Sequence, residues 1–404
     1  MNNIDDVYVL GAGASYVHGA PLTDQILPYA LAVSPRRTDP RAKLLERFLR
    51  DVFHFSAPRR GTGVNAKDVA GPAAKGRLSV AWERVPSLVD VLSVVDVSLD
   101  RKESLARGYD IDRLRHVRSA IEFAIFDALE DSLRARPGRN RHRSQATHVL
   151  ANRIDPDRSA VISFNYDVIA DIALAHRHDA AFDFGGADIE TLAKGDHSMI
   201  DYGVEFANVA PRSTGGGVPL LKLHGSFNWL RSRLTGDLFY GGMQKAAGVL
   251  FRTDTERRVA SLWQYFGGTP AANARLGSGE ELEPVMITPT HLKDLRNAHI
   301  SRIWRRAEEC LQQAKRVTFI GYSLPGDDLH VKYLFKRAQG SRAPGAAPPR
   351  VVVVNRHRPG SNSVRANYER FFGRDNVEYH REGFDAWVAR LRSPAPRARR
   401  RDLM

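Results

Sequence analysis

Val7-Tyr8-Val9-Leu10-Gly11-Ala12-Gly13-Ala14-Ser15 is a β-rich apolar run that breaks into a glycine turn, a pattern suited to the first strand of a doubly wound sheet. Three later islands repeat its logic. Ser163-Phe164-Asn165-Tyr166-Asp167, Lys222-Leu223-His224-Gly225-Ser226 and Gly321-Tyr322-Ser323-Leu324-Pro325 each follow a run that reads as a buried strand. A parallel sheet would gather all of them along its carboxyl edge, where open α/β sheets bind ligands. Together they point to a nucleotide, NAD. The expected fold is α/β: a Rossmann-like parallel sheet with an inserted helical module and an accessory insertion.

Around these islands the remaining pattern alternates strand and helix without an internal repeat, which argues for a parallel sheet. Pro21 and Thr23 open a helix, and Leu44, Leu45, Phe48, Leu49, Val52 and Phe53 keep helical spacing within 41–55. Helical periodicity returns over 87–99 and 111–133. Strands are expected at 159–164, 218–223, 317–320 and 351–354, with helices through 171–175, 300–314, 327–338 and 385–391. The stretch 56–77, rich in Gly, Pro, Ala and basic residues, reads as a mobile loop. Residues 229–283 read as an accessory subdomain with a few helices. This gives one elaborated domain over 1–392, a helical insertion at about 26–150, an accessory insertion at about 229–285 and a basic flexible tail over 393–404.

Composition narrows the class. Hydrophobic residues at 43% and charged residues at 26% leave room for a sizeable core across 404 residues. Cys310 is the single cysteine, which excludes an intramolecular disulfide and a multi-cysteine zinc site within the chain. No metal is expected. No window reaches the roughly 20 apolar residues of a membrane span, and the acidic start lacks the basic region of a signal peptide. A cytoplasmic location is expected. The formal charge of +14 comes largely from dispersed arginine and a cluster at 390–401, with no nucleic-acid motif beside it. It reads as solvated surface and tail; an acidic partner, a nucleic acid, or steering of an anionic cofactor remain open.

Each island carries particular chemistry. Gly11 and Gly13 stand where a strand turns into a helix, letting backbone amides approach a pyrophosphate; a tight structural turn explains them equally. Tyr16 occupies the third-glycine position of the longer dinucleotide fingerprint, which disfavours an ordinary hydride-transfer enzyme. Asn165 offers a donor and an acceptor for ribose hydroxyls or a water, and Asp167 can accept from a carboxamide or cap the following helix. His224 is the candidate general base; Gly225 beside it clears space for a substrate, and Ser226 can bond a ligand or cap a turn. Gly321, Ser323 and Asn355 lie where an adenosine half would sit. Asp327 and Asp328 read as N-terminal carboxylates of the next helix.

In this order, and each after a strand, Gly11-Ala12-Gly13-Ala14-Ser15, Phe164-Asn165-Tyr166-Asp167, Leu223-His224-Gly225-Ser226 and Ile320-Gly321-Tyr322-Ser323-Leu324-Pro325 resemble the sirtuin-like family in its bacterial, zinc-less branch. Residues 83–95 and 303–311 are similar too, so the likeness frames the chain from Val7 to about Asn355 outside 185–290. The resemblance implies that Gly11, Ala12, Gly13, Ser15 and Thr23 help bind NAD, with Ala12, Gly13 and Ser15 on its phosphates. Asn165 and Asp167 would hold the nicotinamide ribose and carboxamide, with His224 as base. Gly321, Ser323 and Asn355 would hold the adenosine ribose and phosphate. Deacylases of the family carry a four-cysteine zinc module after the histidine, which this interval lacks, and Gly19-Ala20-Pro21-Leu22-Thr23 replaces their Gly-Ile-Pro-Asp-Phe-Arg.

The activity this resemblance implies is NAD+ hydrolysis to nicotinamide and ADP-ribose in bacterial anti-phage defence. Control would come from a homo-oligomer or from a separate ATPase or Argonaute-type partner. An NAD-dependent deacylase or ADP-ribosyl transferase, and a non-catalytic NAD or ADP-ribose sensor or a scaffold in a nucleic-acid-processing complex, are the alternatives.

Overall fold

The computed structural model describes residues 3–32, 39–56, 84–133, 144–179, 200–207, 217–232, 235–240, 282–287, 297–326, 328–356 and 362–392. The chain begins with β1 (Asp6–Leu10) and the short α1 (Ala12–Tyr16). A helical module follows: α2 (Thr23–Ala32), α3 (Pro40–Phe53), α4 (Leu88–Arg101) and α5 (Ile111–Leu133). Next come α6 (Ala146–Ala151), β2 (Ser159–Ser163), α7 (Ile169–Ala175), β3 (Ile200–Asp201) and β4 (Val218–Lys222). β5 (Gly225–Ser232), β6 (Leu238–Tyr240) and β7 (Leu282–Met286) complete the middle. The last third holds α8 (Ala298–Gln313), β8 (Arg316–Ile320), α9 (Leu329–Gly340), β9 (Arg350–Val354), α10 (Asn362–Phe372), β10 (Val377–His380) and α11 (Phe384–Arg392).

The main sheet has seven strands in the order β10-β9-β8-β1-β2-β4-β3, and all its pairings are parallel. This is the expected Rossmann-like class. From β1 the chain builds outward to β2 and β4, then returns to the other flank of β1 for β8, β9 and β10, so the switch in direction falls between β1 and β8. Register fixes the rest. Leu10 pairs with Ser163 and with Ile320, Ser163 with Lys222, and Ile320 with Val354. Five adjacent strands thus end at one level, and Gly11, Phe164, Leu223, Gly321 and Asn355 step off it side by side.

The strands stay together because they are apolar on both faces: β2 and β4 are buried throughout, and β9 is buried from Val351 to Val354. In the module, α5 packs on α2, α3 and α4. Its helices are capped as their sequences suggest. Asp39 accepts from the Arg41 amide ahead of Pro40, Ser87 accepts from Asp90, and His54 and Lys102 close α3 and α4 in the left-handed region. α8 is placed against the site strand by Trp304, whose Nε1 donates to the Leu223 carbonyl at 3.0 Å.

The described residues of the accessory region form a three-stranded antiparallel sheet, β6-β5-β7; 241–281, where most of the expected few helices would fall, lies outside the described residues. So do 57–83, which cover most of the expected loop, and 393–404, the expected tail. β3, β10 and α10 had no counterpart in the sequence reading. Asp328 stands at the N-cap position of α9, as expected, without a side-chain capping bond, and accepts from Tyr322 Oη at 2.7 Å; Asp327 lies outside the described residues.

Candidate active site

The first and last islands interlock through backbone. Gly11 N–H donates to the Ile320 carbonyl at 3.0 Å and Gly13 N–H to the Gly321 carbonyl at 2.8 Å. Gly321 adopts φ +64°, and a Cβ there would stand 2.2 Å from Ala14 N; a Cβ on Gly13 would stand 2.6 Å from Gly321 Cα. Only glycine lets the two loops cross this closely. The Gly11 and Gly13 N–H groups thus close the β1–β8 junction, while Ala12 and Gly13 border the cleft described below.

Across α1 lies a buried polar cluster. Ser15 Oγ donates to Asp167 Oδ2 at 2.6 Å, and Asn165 Nδ2 donates to Ser15 Oγ and to the Gly11 carbonyl, each at 2.9 Å. Ser15 is thus the hub joining Asn165 to Asp167. Asp167 Oδ1 also accepts from the Ile169 amide, the first of α7, at 3.0 Å. Burial pushes the Asp167 carboxyl above its ordinary value, against the pull of Lys222, the Ser15 hydroxyl and the Ile169 amide.

His224 is 7% exposed and sits beside two aromatic rings of the Asn165 loop, 5.1 Å from the Phe164 centroid and 6.3 Å from that of Tyr166. Tyr166 Oη donates to the Ile287 carbonyl at 2.5 Å, and the Ile287 amide donates to the His224 carbonyl at 2.9 Å. The loop and the histidine are therefore held by one backbone position at the end of β7. Gly225 does not clear space for a substrate: with φ +78°, a Cβ on it would meet the Val285 carbonyl at 1.9 Å, so it admits β7. Ser226 is buried and donates to Asn228 Oδ1 at 2.7 Å, within protein.

On the other side of α1 a cleft of about 530 Å³ opens at the switch point, within the ~300–1,000 Å³ range of small-molecule sites. Ala12, Gly13, Thr23, Gly321, Ser323 and Asn355 all line it. Asn355 is oriented by Nδ2 donating to the Tyr322 carbonyl at 3.3 Å, which also accepts from Tyr368 Oη at 2.8 Å. Gly11, Ser15, Asn165, Asp167 and His224 are not among the lining residues. The sheet brings all the candidates to one edge, but α1 divides them into an open group and a buried group.

Sequence reading missed part of the cleft wall. Asp24, Arg356, Glu382 and Asp385 also line it. Arg356 directly follows Asn355 and was findable from that strand end. Glu382 and Asp385 follow β10, whose half-buried Val-Glu-Tyr-His lacks the apolar run that marks the other strands.

Among the described residues no group of His, Cys, Asp or Glu is arranged to hold a metal ion, and no helix is long and apolar enough to cross a membrane. No protein-family model and no curated protein matches the chain. Among solved structures it is similar to Sir2 enzymes studied for mechanism and regulation, at 13% identity over 96% of this chain and 94% of that one, TM-score 0.37. A Sir2 structure with a p53 peptide and NAD+ gives 11% identity over 96% and 91%, TM-score 0.36. One with an acetylated peptide gives the same identity, coverage and score. At these values the likeness carries no statement about ligand or activity, and the fold class rests on the chain's own sheet.

Proposed function

We propose that the chain is an NAD+ glycohydrolase, cleaving the nicotinamide–ribose bond with water to give nicotinamide, ADP-ribose and a proton. The observation that carries this reading is the in-register row: an open cleft at the switch point and, across one turn of α1, the buried Ser15 and Asp167 with the half-buried Asn165 beside His224. The motif resemblance supports the same assignment.

In this reading the cleft takes the ADP portion, with Ala12 and Gly13 beside the diphosphate, Thr23 at the mouth, and Gly321, Ser323 and Asn355 about the adenosine ribose. Arg356 adds a cation to that wall. Asn165 has its Nδ2 hydrogens engaged with Gly11 and Ser15, so its Oδ1 is the atom that accepts from a ribose hydroxyl or from the attacking water. His224 takes the proton from that hydroxyl or water. Asp167 receives the carboxamide N–H, and its charge favours the positive anomeric centre that develops as the bond breaks.

Binding without turnover is the second reading. The mutual engagement of Ser15, Asn165 and Asp167 favours it, since a closed cluster also suits a sensor of NAD or ADP-ribose. The resemblance further supports cytoplasmic NAD depletion in anti-phage defence, controlled by self-assembly or by a separate ATPase or Argonaute-type partner. Chromatography of NAD+ incubated with purified protein, alone and with partner and trigger, tests the assignment. Nicotinamide release that disappears in Asn165→Ala supports hydrolysis; full activity in both Asn165→Ala and His224→Ala removes it, and binding without release supports the second reading.

A further inference from the structure

Among the described residues Lys222 is the only lysine or arginine in the buried class, at 0% exposure. It closes β4, two positions before His224, where a lysine would ordinarily turn its ammonium to water. Instead its Nζ donates to Asp171 Oδ2 at 3.0 Å and to the main-chain carbonyl of Asp167 at 2.7 Å. Asp171, on α7, is also 0% exposed. Its other oxygen accepts from Tyr202 Oη at 2.7 Å, and Tyr202 Oη lies 3.3 Å from Tyr240 Oη on β6. The pair is thus satisfied on every side that the described residues show.

Stability alone is a poor explanation for it. Two charges withdrawn from water lose hydration that their attraction only partly restores, and well-packed neutral replacements of such pairs are often as stable or more so. What the neutral replacement cannot supply is a rigid donor aimed at one peptide carbonyl. That carbonyl belongs to Asp167, between the Asn165 loop and α7. The side chain making the bond belongs to the strand that delivers His224.

We infer that Lys222 is a positioning residue: through the Asp167 carbonyl it locks the Asn165–Asp167 loop of β2 to the strand end that carries His224, with Asp171 as the counter-ion that lets a cation stay in the core. The inference rests on the NAD+ reading for its catalytic consequence, but the lock itself is a property of the fold. It adds to the Ile287 tie and to the ring approaches of Phe164 and Tyr166 in explaining how groups on two different strands keep one geometry.

The test is the charge-neutral double variant Lys222→Met with Asp171→Asn, which removes both members of the buried pair together and keeps an acceptor for Tyr202. Its melting temperature and circular dichroism are expected to match the wild type. Amide exchange over 163–169 is expected to speed up by about 10-fold while β1 and β8 keep their protection. Nicotinamide release is expected to lose about 10²-fold in kcat with KM nearly unchanged, the mark of misplaced reacting groups. A folded double variant with wild-type exchange over 163–169 and wild-type kcat overturns the inference. If the double variant does not fold, Asp171→Asn alone decides, because without its counter-ion Lys222 no longer stays in the core and its bond to the Asp167 carbonyl is lost. Faster exchange over 163–169 while β1 and β8 keep their protection then supports the lock, and wild-type protection over 163–169 overturns it. A wild type that never releases nicotinamide counts against the NAD+ reading only, since exchange reports on the lock without turnover.

Discussion

On the β8–β9 side of α1, Ala12, Gly13, Gly321 and Ser323 border an open cleft of about 530 Å³. On the β2–β4 side, Ser15 and Asp167 are each 4% exposed and joined to each other and to Asn165 by hydrogen bonds, and His224 is 7% exposed. Both regions grow from the same row of strand ends, separated by five residues of helix. An open wall of small residues suits holding a ligand. A closed cluster with a carboxylate under desolvation suits chemistry on its far end, where fixed dipoles need no rearrangement as charge develops. The division predicts that substitutions on the two sides fail in different ways.

The largest effect is expected in the buried group. His224→Ala should lower kcat for nicotinamide release by ~10²–10⁴-fold, the span for loss of a general base, while calorimetric NAD+ affinity changes little. Equal loss of affinity and kcat would place His224 in binding and erase the contrast between the regions.

Next comes the seam that both regions share. Gly321→Ala combines a left-handed conformation, about 1–2 kcal/mol, with overpacking against the Ala14 amide, about 1–3 kcal/mol. A loss of roughly 3 kcal/mol in denaturant unfolding is expected. The Ser323→Ala substitution two positions later should leave unfolding unchanged. A Gly321→Ala variant of wild-type stability would mean that the glycine interlock does not hold the edge together.

How far these features were legible depended on what each residue's neighbours add. Ser159–Ser163 and Val351–Val354 could be read as strands because they are buried on both faces, which forces a continuous apolar run. Val377–His380 escaped because an edge strand needs no such run, and with it went the cleft carboxylates Glu382 and Asp385. Asn165, Asp167 and His224 were legible as strand-end polar residues, since a parallel sheet must bring such ends together. The roles of Gly11 and Gly13 were not, because their partner is a carbonyl some three hundred residues later. Lys222 was unreadable for the opposite reason: a lysine at a strand end gives no sign of burial until α7 supplies Asp171.

A smaller, pH-dependent effect separates the regions electrostatically. The folded protein raises the Asp167 carboxyl above its unfolded value, burial being the largest cause. The folded state therefore holds that proton more tightly. Its contribution to stability is fully present below the unfolded pKa of about 3.9 and is lost as pH rises through the higher folded value. Asp167→Asn carries no such titration. Its melting temperature relative to wild type should climb as pH rises above about 4, while nicotinamide release falls. A relative decline with rising pH would mean that Lys222 and Ser15 outweigh burial and lower the carboxyl.

The smallest effect belongs to the cleft wall. Ser323 is exposed at the mouth of the site, and a hydroxyl bonded to a ligand in water contributes about 0.5–1.5 kcal/mol. Ser323→Ala should therefore raise KM for NAD+ by about 2–10-fold with kcat unchanged, because a contact made equally in ground and transition states affects binding alone. Free adenosine diphosphate ribose, used as a competitive inhibitor, should lose affinity by the same factor, since the cleft is proposed to hold that portion of the substrate. A kcat loss in Ser323→Ala, or an inhibitor indifferent to it, would join the cleft to the chemistry and dissolve the division that α1 draws between the two regions.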